Sequence, residues 1–298
     1  MMARYGIPWQ GSKSRIAEWV VDMLPPSHTL VDLFAGGCAI THRALLSGKW
    51  ERIIANDVTD STRVFFAAIN GEFDGYAACP SREEWFAYRD EDTASALMMS
   101  FGNDRKTYLW SPELEAVKRP ASMMISAGSI WERYQWYHRF CKALTAYLAS
   151  HDNDPTLVCD SHGHGANEQE NRERLQQFER LQRLQGLQGS QGLQGLQGDY
   201  RLVDVPEGAT VYADPPYRDT ANSARYGHFD FAAFDLWLAG VDFPVFVSEF
   251  TAPEGCVEVA SCERTTSMSA TTTSKVTERI FVQERFADAV QVGEPTLF

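Results

Sequence analysis

The sharpest chemical pattern in the chain is Asp214-Pro215-Pro216-Tyr217, directly after the apolar run Val211-Tyr212-Ala213. A carboxylate followed by two prolines sets two acceptors side by side. Asp214 offers carboxylate oxygens and Pro215 a backbone carbonyl, while consecutive prolines fix φ and have no N–H to donate. Such a pair can hold both hydrogens of an aromatic amine, rehybridise its nitrogen and aim the lone pair at an incoming carbon electrophile. Tyr217 then offers a ring face for stacking a planar base. Catalysis of this kind is positioning and electrostatics in a dry pocket. A Pro-Pro turn capped by an aspartate is the bland alternative, and only structural context separates the two.

The elements upstream supply that context. Thr29 to Phe34 is a short apolar run entering the turn Ala35-Gly36-Gly37, as a buried strand would. A helix is predicted through Ile40 to Leu46, a second strand over Arg52-Ile53-Ile54-Ala55 ending at Asn56-Asp57, and another helix over 60–69. Strand, glycine turn, helix, strand and acid outline a βαβ nucleotide-binding unit. Ser14 to Leu24 has helical apolar spacing and stops at Pro25-Pro26. Beyond Tyr217, residues 231–240 read as a helix and Val245 to Ser248 as a buried strand. Val257 to Ala260 and Arg279 to Gln283 read as a closing antiparallel pair joined by a Thr/Ser-rich loop at 265–274.

The middle is harder to read. Residues 71–125 lack regular periodicity, and 126–150 form a long helical pattern whose aromatics (Ile130, Trp131, Tyr134, Trp136, Tyr137 and Phe140 among the apolar set) are expected to be core. Within 168–198, leucines and Phe178 recur every third residue and the segment ends in Leu-Gln-Gly triplets. A step of three drifts by about 60° per step on an α-helix, and the repeated glycines oppose its continuation. The expectation is a helix fading into an irregular, length-variable linker.

Composition sets the outer bounds. A chain of 298 residues, 44% hydrophobic and 22% charged, can bury a full core as one large domain or one domain with an insertion. No apolar run is long enough to span a membrane, and the first residues lack a signal core. Six scattered cysteines without metal-type spacing read as reduced thiols of a cytoplasmic protein. The seven histidines show no ligand spacing, and the chemistry requires no metal. The net charge of −13 opposes phosphate contact unless basic residues gather locally, as they do at 4–15, 105–106, 118–119, 133–142 and 172–183.

Taken in order, Trp9-Gln10-Gly11-Ser12-Lys13, Phe34-Ala35-Gly36-Gly37-Cys38, Asp57 and Asp214-Pro215-Pro216-Tyr217 resemble the motifs of the Dam-type (D12 class) adenine-N6 DNA methyltransferases. The likeness covers residues 5–70 and 200–250 well, the C-terminal strands loosely and the middle poorly. It implies a Rossmann-like α/β fold with a mostly parallel sheet. The catalytic domain would be 1–103 with 206–298, interrupted by a helical target-recognition insert at 104–205. It also implies S-adenosylmethionine as cofactor, held by Trp9, Lys13 (at the carboxylate), Asp32, Phe34, Gly36, Asp57 at the ribose hydroxyls, and Asp214. Asp214, Pro215, Pro216 and Tyr217 would be the catalytic group. Cys38 departs from the family's final glycine, and Ser100-Phe101-Gly102-Asn103 is matched to its third motif.

The resemblance further implies double-stranded DNA as partner, methylated at a specific short site, with the base flipped out of the helix. Arg133, Arg139, Lys142, Arg172, Arg174, Arg180 and Arg183 would read phosphates and bases. A monomer or weak dimer is expected, and the likeness is closest to stand-alone enzymes of phages and prophages, where modification guards or marks DNA. Two rivals stand beside this reading: methylation of RNA adenine, and a DNA-binding protein with a decayed cofactor site. Taken singly, Trp9 reads equally as a core aromatic, Lys13 as a solvated charge and Asp57 as a turn residue. Their order is what argues for a site.

Overall fold

The computed structural model describes residues 5–7, 9, 11–70, 79–90, 96, 99–100, 105–151, 192–218, 229–269 and 272–290. The chain divides into two compact units. The first comprises 1–7, 11–65 and 190–298, and the second comprises 8–10 and 66–189.

The first unit is built on a seven-stranded sheet: β1 (Thr29–Asp32), β2 (Arg52–Asp57), β3 (Leu193–Gln197), β4 (Thr210–Ala213), β5 (Val245–Glu249), β6 (Cys256–Ser269) and β7 (Thr272–Gln283). Their order is β3-β2-β1-β4-β5-β7-β6. β3, β2, β1, β4 and β5 run parallel, and β7 is antiparallel to both its neighbours. This is the Rossmann-like α/β architecture expected. β1, β2, β4 and β5 are buried on both sides because helices cover both faces.

Alternation sorts those side chains into two cores. Leu30, Ile53, Tyr212, Phe246 and Ile280 join Val20 and Leu24 of α1 (Ala17–Met23 and its cap) and Ile40 and Ala44 of α2 (Ala39–Ser47). Val31, Ile54, Val211, Val245 and Val247 face the other way, onto Phe234 and Leu238 of a helix at Phe231–Gly240. Lys49 closes the carboxyl end of α1, donating to the carbonyls of Val21 (2.9 Å), Asp22 (3.2 Å) and Leu24.

Strand β3 overturns the expected irregular linker at its C-terminal end. Leu193-Gln194-Gly195-Leu196-Gln197 pairs in parallel with Ile53 to Asp57. In a strand, residues three apart point to opposite faces, so Leu193 packs into the first core and Leu196 into the second. The period that fails on a helix succeeds on an edge strand between two layers. Gly192 is required at its start, because a Cβ there would lie 1.9 Å from the Glu51 carbonyl oxygen. Within 168–198, only 192–196 reads Gly-Leu-x-x-Leu, so one register satisfies both demands. The remainder of the repeat, with Arg172, Arg174, Arg180 and Arg183, lies outside the described residues.

The Thr/Ser-rich stretch 265–274 also departs from expectation. It is strand to Ser269 and again from Thr272, as β-branched threonines on a long hairpin favour.

Helix α3 (Ser61–Ile69) leaves the first unit, and the second holds α4 (Arg82–Tyr88), α5 (Pro112–Ser126) and α6 (Ile130–Ser150); the helix at Phe231–Gly240 is α7. α4 opens with a capping box between Ser81 and Glu84. Its Trp85 is buried with Met99, Tyr108 and Trp110. α5 was hidden in the sequence by Pro120 inside it, although Ser111 caps it and Pro112 opens it.

The aromatics of α6 are not core, contrary to expectation. No residue of the helix is buried, Ile130 is 86% and Trp131 68% exposed, and Tyr134 and Tyr137 are exposed as well. α6 packs on α5 along its half-buried side, which includes Trp136, Phe140 and Leu144. Arg139 lies over the Trp136 ring at 4.6 Å. A two-helix contact covers one face only, and the other keeps its rings in solvent.

Candidate active site

Three carboxylates end three neighbouring parallel strands. Asp32 closes β1, Asp57 closes β2 and Asp214 follows β4, with β1 in register between the other two. Adjacent strands lie about 4.8 Å apart, so the three acids gather within about 10 Å along one edge of the sheet. From β1 the chain moves first to one side and later to the other, which makes the gap between β1 and β4 the topological switch point. Open α/β sheets bind ligands at such a crevice.

Asp214 retains 17% exposure of its side chain and pairs with Lys13, Nζ to Oδ1 2.9 Å. Burial raises its pKa to about 6, Lys13 opposes the rise, and Glu278 and Glu249 add to it. The same Lys13 ammonium stands 4.2 Å from the centre of the Tyr217 ring. The ring meets Phe250 edge-on at 4.5 Å, and its hydroxyl donates to Glu278 Oε2 at 2.9 Å. The next residue, Arg218, is tied down too. Arg218 N–H donates to Glu249 Oε1 at 2.7 Å, and the Arg218 guanidinium pairs with Asp235 at 2.6 Å. Below the site, the hydroxyls of Tyr212 and Ser248 meet at 2.7 Å.

Asp32 is fully buried, and its pKa is raised to about 7, by burial first, with the Thr41 hydrogen bond opposing and Asp214 and Asp57 adding to the rise. Its Oδ2 accepts from the Thr41 hydroxyl of α2 at 2.7 Å, whereas Oδ1 is buried without a hydrogen-bond partner. Asp57 closes the glycine turn: Oδ2 accepts from Gly36 N–H at 2.8 Å, and Oδ1 from the Thr59 N–H (2.9 Å) and hydroxyl (2.6 Å). A carboxylate has about four acceptor positions, so capacity remains for a hydroxyl. Cys38 sits at φ 58°, ψ 34° at the start of α2, the left-handed conformation that suits the family's glycine; the cysteine adopts it regardless.

The structure therefore brings together Lys13, Asp32, Gly36, Asp57, Asp214, Pro215 and Tyr217 in the first unit. Phe34 belongs to an aromatic cluster with Tyr200 (4.9 Å), Phe229 and Phe234, and Trp9 is half-buried and groups with the second unit. Of the expected third motif, Ser100 is buried and its Oγ accepts from Arg105 N–H; residues 101–103 lie outside the described residues. Sequence reasoning missed Thr41, Glu249 and Glu278. Glu278 had a legible signal, because it falls in phase with Ile280 and Val282 on a strand whose other members there are apolar.

These residues fit a cationic nucleoside donor. Among the described residues five carboxylates (Asp32, Asp57, Asp214, Glu249, Glu278) share the region with Lys13, and the bare buried Oδ1 of Asp32 calls for a positive or hydrogen-donating partner. Among the described residues no group of side chains is arranged to hold a metal ion, and no helix is long and apolar enough to cross a membrane.

No curated protein matches the chain. Residues 9–116 match the family model for D12 class N6 adenine-specific DNA methyltransferases, a class that uses S-adenosylmethionine as methyl donor. The matched stretch takes in Lys13, Asp32, Gly36 and Asp57, and the sheet adds Asp214 beside them. Over residues 9–116 the chain is thus similar to the D12 class N6 adenine-specific DNA methyltransferases.

Proposed function

We propose that this chain methylates adenine N6 within a specific short site of double-stranded DNA, through Asp214, Pro215 and Tyr217. The observation that carries the assignment of roles is the meeting of Asp214 with Asp32 and Asp57 at the switch point of the sheet. Asp32, Asp57 and the Gly36 turn would hold the cofactor, with Trp9, Lys13 and Phe34 as further candidates. When bound, S-adenosylmethionine supplies a methyl group on a sulfonium leaving group.

The remaining work falls to the chain. Extruding the base costs roughly a few kcal/mol, offset in part by stacking on Tyr217. Asp214 and the Pro215 carbonyl accept the two amine hydrogens and direct the nitrogen lone pair outward. As the N–CH3 bond forms, the nitrogen becomes cationic and gives up one hydrogen as a proton. Asp214 is suited to receive it because burial has already raised its basicity. Its residual exposure lets the proton pass on to water.

The second unit is proposed to read the DNA. Trp131 and Tyr134 stack at 5.9 Å on the open face of α6, with Arg133, Arg139 and Lys142 on the same helix as cations for phosphates. Within this reading the protein works in the cytoplasm as a monomer or weak dimer.

The test is sequencing of modified bases in DNA from methylation-deficient cells expressing the protein. N6-methyladenine at one recurring short sequence is expected, and its loss in Asp214→Ala with the fold retained. Methylation of RNA alone, or full activity of that variant, would overturn the proposal.

A further inference from the structure

A buried carboxylate is costly unless its oxygens are engaged, and the transfer chemistry above makes no use of Glu278. It lies on β7 with 1% exposure, next in phase to the buried Ile280 and Val282. Its Oε2 receives the hydroxyl of Tyr217 at 2.9 Å. The ring so held also meets the Phe250 edge and the Lys13 ammonium. Those contacts restrict its rotation about Cβ–Cγ, while the hydroxyl bond, lying on that axis, tethers the far end of the ring against swinging about Cα–Cβ. β7 is joined to β5 through Ser248↔Ile280 and Glu249↔Arg279, which makes the acceptor part of the rigid sheet and not of a loop.

We propose that Glu278 is a positioning residue for the methyl-transfer site, holding in place the Tyr217 ring on which the extruded base stacks. The inference rests on the stacking role given to Tyr217 above. A ring free to swing about its Cα–Cβ bond leaves that place part of the time, and the base is then misaligned against the electrophile. One lost anchoring bond of this kind is expected to slow a positioned reaction about tenfold.

Single-turnover methylation at saturating DNA and cofactor reads this directly. Glu278→Leu and Tyr217→Phe are each expected to lower the rate about tenfold or more. The double variant should be no slower than the slower single, since both remove the same bond. Glu278→Gln keeps an acceptor oxygen and should stay within about threefold of the native rate. Affinity for S-adenosylhomocysteine, measured by calorimetry, should change less than about twofold in all of them.

A native rate for Tyr217→Phe overturns the proposal even if Glu278→Leu fails to fold. Multiplicative losses in the double variant, or equal losses in Glu278→Gln and Glu278→Leu, overturn it as well. A native rate for Tyr217→Ala would instead remove the stacking role itself, and the inference with it.

Discussion

The pH dependence of methyl transfer offers the most direct test of how Asp214 works. An ordinary aspartate would be ionised throughout the usual assay range, but burial raises Asp214 from 3.8 to about 6. It accepts amine hydrogens only as the carboxylate, so the single-turnover rate should fall on the acid side with a midpoint near pH 6. One unit below that midpoint, at about pH 5, the rate should be near a tenth of its plateau. Lys13, 2.9 Å away, is the group that keeps the pKa from rising further. An opposite charge at such range lowers a carboxyl by about 1–3 units, so Lys13→Gln should carry the midpoint up into the region of about pH 7–9. Lys13→Arg should leave it near its native position. The assay is methyl transfer to a duplex oligonucleotide from pH 4.5 to 9.5, with cofactor affinity recorded across the same range. A midpoint that stays in place in Lys13→Gln would refute the idea that this lysine governs the charge of Asp214.

Three further outcomes follow from other parts of the fold. Gly192→Ala forces a carbon to within 1.9 Å of the Glu51 carbonyl oxygen and threatens the bond from Ile53 N–H to Gly192 O. It should cost about 2–3 kcal/mol in urea denaturation, whereas Gly198→Ala, with open space around it, should cost less than about 0.5 kcal/mol. Asp32 has a folded pKa raised from 3.8 to about 7, so the folded state binds a proton that the unfolded chain releases, and stability falls as pH rises through that window. Asp32→Asn should remove up to about 3 kcal/mol of the native loss between pH 5 and pH 8; parallel stability curves would contradict it. Trp131→Ala with Tyr134→Ala should leave the denaturation midpoint almost unchanged, within about 0.5 kcal/mol per site. The same pair should weaken DNA binding in a gel-shift titration, and native binding would dismiss α6 as a reading surface.

What was legible in the sequence is what depends on local pattern. The βαβ unit, the strand before Asp214 and the helix at Phe231–Gly240 announce themselves by period and by the turn residues at their ends. The site was legible because four short motifs each sit at a strand or helix boundary, where backbone geometry already restricts side-chain placement. Two features were not legible and a third was legible only in part, each for a distinct reason. The Leu-Gln-Gly strand needs partners more than a hundred residues away in β2. The open face of α6 reflects how few elements cover it, which no single helix can report about itself. Glu278 stands out as an acid in phase with Ile280 and Val282, but its role emerges only when β7 is set beside β5, since its partner Tyr217 is 61 residues upstream.

The triplet repeat leading into β3 has a consequence for how this coding sequence can change. Loss of a Leu-Gln-Gly unit within 184–189 leaves the Gly-Leu-x-x-Leu of 192–196 intact and spares the sheet edge, whereas loss within 193–198 removes it and duplication of any unit adds a second copy. Homogenising the tract carries the same hazard. Ser190 interrupts the leucine series, and Ser190→Leu alone would create two competing copies of the docking pattern, at 186–190 and 189–193, each able to slide into the same slot beside β2. One serine thus acts as punctuation that keeps a repetitive tract from misreading its own frame.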